Sequence, residues 1–223
     1  MSWELRTQLI ETALAMNASG LNQGASGNLS VRHKNGMLIT PSGMDYASLA
    51  ADDIVWMDYE GHTKGRRHPS SEWHFHAAIY QHHQSANAIL HAHSLNCSAL
   101  ACLNKGIPAF HYMVALAGGK DIRCSDYATF GTKQLSVNVI KALQDRKACL
   151  MSHHGLTCYE TDLARVLALA VEVEHLASVY CRILAMGDAE MIDDEEMDRV
   201  VEKFKTYGSQ EPLDQEPVGF DRS

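Results

Sequence analysis

The chain has no long apolar run, no paired cysteine motif and no surplus of positive charge. Every apolar stretch is broken by polar residues well before the roughly 18 needed to cross a bilayer, which argues against a transmembrane helix. The opening residues Ser2, Trp3, Glu4, Leu5 and Arg6 do not form a basic segment followed by an apolar run, so a cytoplasmic location is expected. The six cysteines (Cys97, Cys102, Cys124, Cys149, Cys158 and Cys181) make no CxxC pair, and most sit in apolar segments such as ACLMS and VYCRIL. That is the pattern of reduced, buried thiols. Lys and Arg total 19 against 27 Asp and Glu, a net charge of -8, with much of the acid between Gly187 and Glu202, where a solvated helical face is expected. Sequence-independent nucleic-acid binding, which needs clustered cations, is thereby excluded. A small anionic substrate remains compatible if it has a local cradle.

With 223 residues, 46% of them hydrophobic, the chain suits one large domain over 1–208, followed by a mobile tail over 209–223 that is rich in acids and holds two prolines. Leu5, Leu9, Ile10, Ala13 and Leu14 recur at helical spacing, and Gly20 closes that helix. LSVRHK and MLIT flank Asn35-Gly36, a hairpin signal, while IVWMDY, AILHAH, ACLMS and LTCY read as further strands. Helices are expected over Glu72–His82, Thr132–Leu143, Leu163–Met186 and Asp193–Tyr207. Strands and helices interleave with a hairpin, which implies an α/β sandwich with antiparallel pairs.

His91 and His93 lie two apart on an expected strand, so both imidazoles leave the same face and can grip one metal ion. His153 or His154, where ACLMS meets a turn at Gly155, can add a third nitrogen, and Glu72 can complete the set. Three nitrogens and one carboxylate suit zinc. His62, His74, His76, His82 and His83 read as structural or solvated. Three segments offer small residues, hydroxyls and free amides for an anion: GASGN (Gly24–Asn28), TPSG (Thr40–Gly43) and PSS (Pro69–Ser71), the last at a helix N-terminus.

LNQGASGNLSVR, GMLITPSGMDY, PSSEWHFH, IPAFHYMVALAGG, DYATFGT, HHGL and EKFKTYG, in this order and spacing, resemble the class II aldolase and adducin-head family over nearly the whole chain. The resemblance implies a three-layer αβα sandwich around a largely antiparallel central sheet. It implies one zinc ion per subunit on His91, His93 and His154, with Glu72 as fourth ligand and as the acid/base of turnover. Gly27, Asn28, Ser42, Gly43, Ser70 and Ser71 would bind a substrate phosphate. Tyr112 would be a catalytic tyrosine supplied by an adjacent subunit of a homotetramer with interfacial sites, and Phe130 and Tyr207 would shape the aldehyde end of the pocket. The implied reaction cleaves a deoxyketose 1-phosphate, L-fuculose 1-phosphate first, into dihydroxyacetone phosphate and L-lactaldehyde. The alternative substrates are 5-deoxyribulose and 5-(methylthio)ribulose 1-phosphates, giving acetaldehyde or methylthioacetaldehyde. Family epimerases carry aspartate after the paired serines, where this chain has Glu72, and adducin-like scaffolds lose ligands that this chain keeps.

Overall fold

The computed structural model describes residues 2–207, so the tail expected at 209–223 lies outside the described residues. Eight strands form one sheet: β1 (Asn28–His33), β2 (Gly36–Ile39), β3 (Val55–Asp58), β4 (Thr63–Lys64), β5 (Ala88–Ala92), β6 (Arg123–Ser125), β7 (Ala148–Met151) and β8 (Gly155–Glu160). Their order is β4-β3-β2-β1-β5-β8-β7-β6, and every pairing is antiparallel except β6 with β7. The expected hairpin joins β1 to β2 through Lys34 and Asn35, with Lys34 in the left-handed region at φ 56°.

Among the described residues six α-helices accompany the sheet: α1 (Ser2–Ala18), α2 (Trp73–His82), α3 (Leu95–Cys102), α4 (Lys133–Ala142), α5 (Leu163–Met186) and α6 (Asp194–Phe204). Strand alternation divides them into layers. Leu29, Val31, Leu38, Leu90, Ala92, Leu150 and Leu156 pack with residues of α1, α3 and α5. On the opposite face Met37, Ile39, Val55, Met57, Ile89, Cys149 and Met151 pack with Phe75, Ala77 and Ile79 of α2 and Leu135 and Val139 of α4. Each fully buried Leu, Ile or Met is worth roughly 1.5–3 kcal/mol of transfer free energy, so both faces are needed to hold the three layers.

The strands and long helices fall where the sequence places them. Among the described strands and α-helices, three were not anticipated: β4, β6 and α3. The first two are only two and three residues long. For α3, NCSALAC offers no clear apolar stripe, and the helix is fixed instead by a side chain distant in sequence. Glu174 of α5 accepts hydrogen bonds from the Asn96 and Cys97 backbone N–H groups at 2.9 and 3.0 Å and from Asn96 Nδ2 at 2.7 Å, capping the N-terminus of α3. All six cysteines are free; Cys97, Cys149 and Cys158 are buried, but Cys124 and Cys181 are half-buried and Cys102 is exposed, which corrects the reading of all six as buried. No described helix is long and apolar enough to cross a membrane.

Removing the cap leaves two helix-terminal N–H groups without their carboxylate, so Glu174→Ala is expected to lower stability by about 1–3 kcal/mol in urea unfolding. Burial pushes the Glu174 carboxyl up, but the hydrogen bonds it accepts from Asn96 and Cys97 outweigh it and hold the group below its usual range. Its contribution is therefore complete above about pH 4.3 and is lost as the pH falls through the lower folded-state value. Glu174→Gln should flatten the acid limb of the stability profile; an unaltered limb would count against the cap.

Candidate metal centre and active site

His91 lies on β5 and His93 just beyond its end. Leu90 and Ala92 point to the α1/α5 face, so His91 and His93 point to the other, where Glu72 is the N-cap of α2. His154 arrives from the turn between β7 and β8. His153 holds φ 52° and donates its N–H to Ala101 O at 3.1 Å, and this left-handed step turns the following imidazole back toward the sheet. Gly155 makes the approach possible: a Cβ there would lie 2.4 Å from Ala92 O and 3.1 Å from the His93 ring.

One ligand atom from each of Glu72, His91, His93 and His154 lies within 4.8 Å of all the others. His91 Nε2 is 3.0 Å from His93 Nε2 and 3.2 Å from Glu72 Oε2, and His154 Nε2 is 3.2 Å from Glu72 Oε1. Donors held at about 2.0–2.1 Å from a tetrahedral ion sit roughly 3.3 Å apart, so these spacings match an ion-centred set. Proton placement agrees. His91 Nδ1 donates to Leu156 O at 2.8 Å, which leaves the Nε2 lone pair for a metal. Glu72 Oε1 is buried with no hydrogen-bond partner, an orphan that a bound cation would satisfy.

The electrostatics favour the same occupant. Burial pushes the Glu72 carboxyl up, but the His91 and His154 imidazoles overcome it and hold the group well below its usual range. His93 is open to solvent on one side, and partial desolvation together with the neighbouring His91 and His154 lowers it to about 4, which favours the neutral, coordinating form.

Beside this cluster opens a cavity of about 390 Å³ lined by Gly27, Asn28, Ser42, Gly43, Ser70, Ser71, Glu72, His93, Phe130 and His154, together with Tyr127 and His153. All three segments that offer hydroxyls and amides for an anion thus meet one cavity. Gly27 sits at φ +71°, and a Cβ there would lie 2.6 Å from His91 O, so only glycine lets this loop press against the strand that carries His91. Asn28 pairs with His91 across the β1–β5 ladder, and its Nδ2 donates to Glu72 Oε2 at 3.0 Å. Ser70 Oγ accepts the Glu72 N–H at 3.3 Å.

Tyr112 and Tyr207 are not among the residues that line this cavity. Both are exposed and gather around Phe204, with ring centroids 6.4 Å and 5.2 Å from it. Tyr127, an aromatic at the cavity wall, is not among the expected site residues, and His76 is among the histidines expected to be structural or solvated. His76 is fully buried against Asn28, and its spacing of four from Glu72 on α2 was the available signal.

The profile of the Class II Aldolase and Adducin N-terminal domain matches residues 7–181. The chain belongs to that family. It is 50% identical over 206 residues to the L-fuculose phosphate aldolase of Escherichia coli K12, covering 92% of this chain and 96% of that one. It is 49% identical over 214 residues to the 5-methylthioribulose-1-phosphate/5-deoxyribulose-1-phosphate aldolase of Rhodospirillum rubrum, covering 96% and 97%. A solved L-fuculose 1-phosphate aldolase superposes with a TM-score of 0.88 at 41% identity, covering 91% of this chain and 96% of that one. The three-layer fold with its mainly antiparallel sheet is the fold of this class II aldolase family.

Gly155→Ala is expected to force β8 away from Ala92 and His93, weakening metal retention by about ten-fold or more in competition with a chelator. Unchanged retention would show that His154 does not depend on this approach.

Proposed function

We propose that this class II aldolase uses zinc to cleave a deoxyketose 1-phosphate, L-fuculose 1-phosphate first, reversibly into dihydroxyacetone phosphate and L-lactaldehyde. The observation that carries the reading is the orphaned Glu72 carboxylate oxygen among three imidazoles, opening on a cavity rich in hydroxyls and amides. The nitrogen-rich, four-donor set suits zinc better than magnesium or calcium, which favour six or more oxygens. A bound zinc ion would supply electrophilic stabilisation of the negative charge that develops as the C3–C4 bond breaks.

The chain's own residues do the rest. Gly27, Asn28, Ser42, Gly43, Ser70 and Ser71 hold the phosphate through hydroxyls and backbone amides, with Ser70 and Ser71 at the start of α2. This anchors the substrate so that C3 faces Glu72. Glu72 delivers a proton to C3 in cleavage and removes it in synthesis. The C4 hydroxyl proton needs a second group, and the role of Tyr112 requires delivery from an adjacent subunit, because within one chain it packs toward Phe204. That favours a homo-oligomer, read as a tetramer with interfacial sites. Phe130 at the cavity wall shapes the aldehyde end, and Tyr207, beside Phe204, reaches it by the same route as Tyr112.

A second substrate reading has its own support. The relative acting on 5-methylthioribulose and 5-deoxyribulose 1-phosphates is as similar as the fuculose enzyme, at 49% against 50% identity. These substrates share the phosphate and the reacting carbons and differ at the aldehyde end.

Cleavage of all three ketose 1-phosphates by zinc-loaded protein, followed by reduction of dihydroxyacetone phosphate in a coupled assay, tests the proposal. Turnover of L-fuculose 1-phosphate at the highest kcat/KM is expected. A preference for either pentulose substrate would shift the assignment to nucleoside salvage, and silence with all three would sink the aldolase reading. Complete metal removal should abolish activity, with recovery on adding zinc. Glu72→Gln should lower kcat by about 100-fold or more; a fully active variant would remove Glu72 from the chemistry.

A further inference from the structure

A polar chain runs between β1 and α2 behind the metal centre. Asn28 and Ser30 alternate with Leu29 and Val31 along β1, so they face α2 while the apolar pair faces the other layer. Glu72, the N-cap of α2, and His76 and Tyr80 on the helix recur every four residues and present one face to them. The contacts are Tyr80 OH to Ser30 Oγ at 2.9 Å, Ser30 Oγ to His76 Nδ1 at 2.7 Å, His76 Nε2 to Asn28 Oδ1 at 2.5 Å, and Asn28 Nδ2 to Glu72 Oε2 at 3.0 Å. Ser30, His76 and Tyr80 are fully buried, and Asn28 is 3% exposed.

Donor chemistry gives this chain one direction. An ionised carboxylate only accepts, so the Asn28 NH₂ must face Glu72 and its carbonyl must face His76. His76 must then carry its proton on Nε2. Burial pushes this imidazole down to about 3, with the nearby His91 adding to the shift and Glu72 opposing it, so the ring is neutral and Nδ1 is an acceptor. The Ser30 hydroxyl therefore donates to Nδ1 and accepts from Tyr80. Every O–H and N–H in the chain points toward Glu72. Without the His76 donor, the Asn28 amide is free to turn its oxygen toward the carboxylate, replacing an attraction with a repulsion.

We propose that His76 is a positioning residue, which holds the Asn28 side-chain amide in the one orientation that fixes the Glu72 carboxylate for proton transfer. Mere satisfaction of a buried histidine does not require its far partner to be a carboxylate at the reacting position. The inference rests on Glu72 being the proton-transfer group of the proposed aldolase.

Two isosteric variants separate positioning from packing. The Gln side-chain amide reaches the place of imidazole Nε2, whereas that of Asn stops near Nδ1. The readout is solvent exchange of the C3 hydrogen of dihydroxyacetone phosphate by zinc-loaded protein without aldehyde, which isolates the Glu72 step, measured below each variant's melting temperature. His76→Gln should stay within about 5-fold of the parent. His76→Asn should exchange roughly 30-fold or more slowly, with zinc near one ion per chain and KM within about 3-fold. If His76→Asn fails to fold, His76→Leu supplies the donor-free arm. Equal rates in the Gln and donor-free variants, or parental exchange in a donor-free variant, would overturn the positioning role. Parental exchange in Glu72→Gln would sink the functional reading itself, whereas a slow Glu72→Gln beside a fast His76→Asn would sink only the part assigned to His76.

Discussion

The active site depends on a buried carboxylate held among imidazoles. Glu72 gains nothing from burial by itself, since moving a carboxylate out of water costs several kcal/mol unless opposite charge or hydrogen bonds compensate. One oxygen is met by Asn28 Nδ2 and His91, and the other has only His154 nearby and no hydrogen bond. A cation bound between them would complete the compensation. The close approaches at Gly27 and Gly155 follow from this constraint, because each lets a loop or strand come near enough to β5 for the donors to converge.

The same alternation that builds the core builds the site. On β1, odd positions 29 and 31 join the α1/α5 layer, and even positions 28 and 30 meet polar partners on α2. On β5, Leu90 and Ala92 pack into one layer, and His91 faces the other. A slip of one residue in either strand would bury the polar set in the apolar layer and expose leucines to the cavity. Stability and function therefore select the same register. The Glu174 cap adds a third hold by fixing the start of α3 immediately after His93 and Ser94.

Where periodicity carries the signal, the sequence was legible. The β1–β2 hairpin, whose turn falls at Lys34-Asn35, one residue before the expected Asn35-Gly36, the long helix Leu163–Met186 and the shared face of His91 and His93 all follow from local pattern. The three segments proposed to hold the phosphate are legible as separate turns, but their meeting at one cavity depends on tertiary folding. His153 and His154 could not be separated by spacing, because the left-handed backbone at His153 decides which ring turns inward. His76 was hidden for a different reason: its partners Asn28 and Ser30 lie on a strand more than 40 residues away. The aromatic group of Tyr112, Phe204 and Tyr207 likewise joins distant segments, and its link to a catalytic site passes through a second subunit in the proposed assembly.

Charge completes the account of the cavity. No Lys or Arg is among the described residues that line it, although the proposed substrate carries a phosphate and the chain has a net charge of -8. Backbone amides, serine hydroxyls and the start of α2 supply only partial positive charge. The bound metal would then be the one full positive charge in the site, and it would offset the Glu72 carboxylate as well as attract the substrate. Metal binding and phosphate-ester binding should accordingly support one another through the same cavity. Reciprocity of linkage requires that a substrate drawn in by the ion also tighten the ion's hold. A lysine-lined phosphate site would uncouple the two, allowing substrate to occupy a metal-free pocket that cannot react. With neutral donors at the phosphate end, occupancy and competence are tied to the same ion.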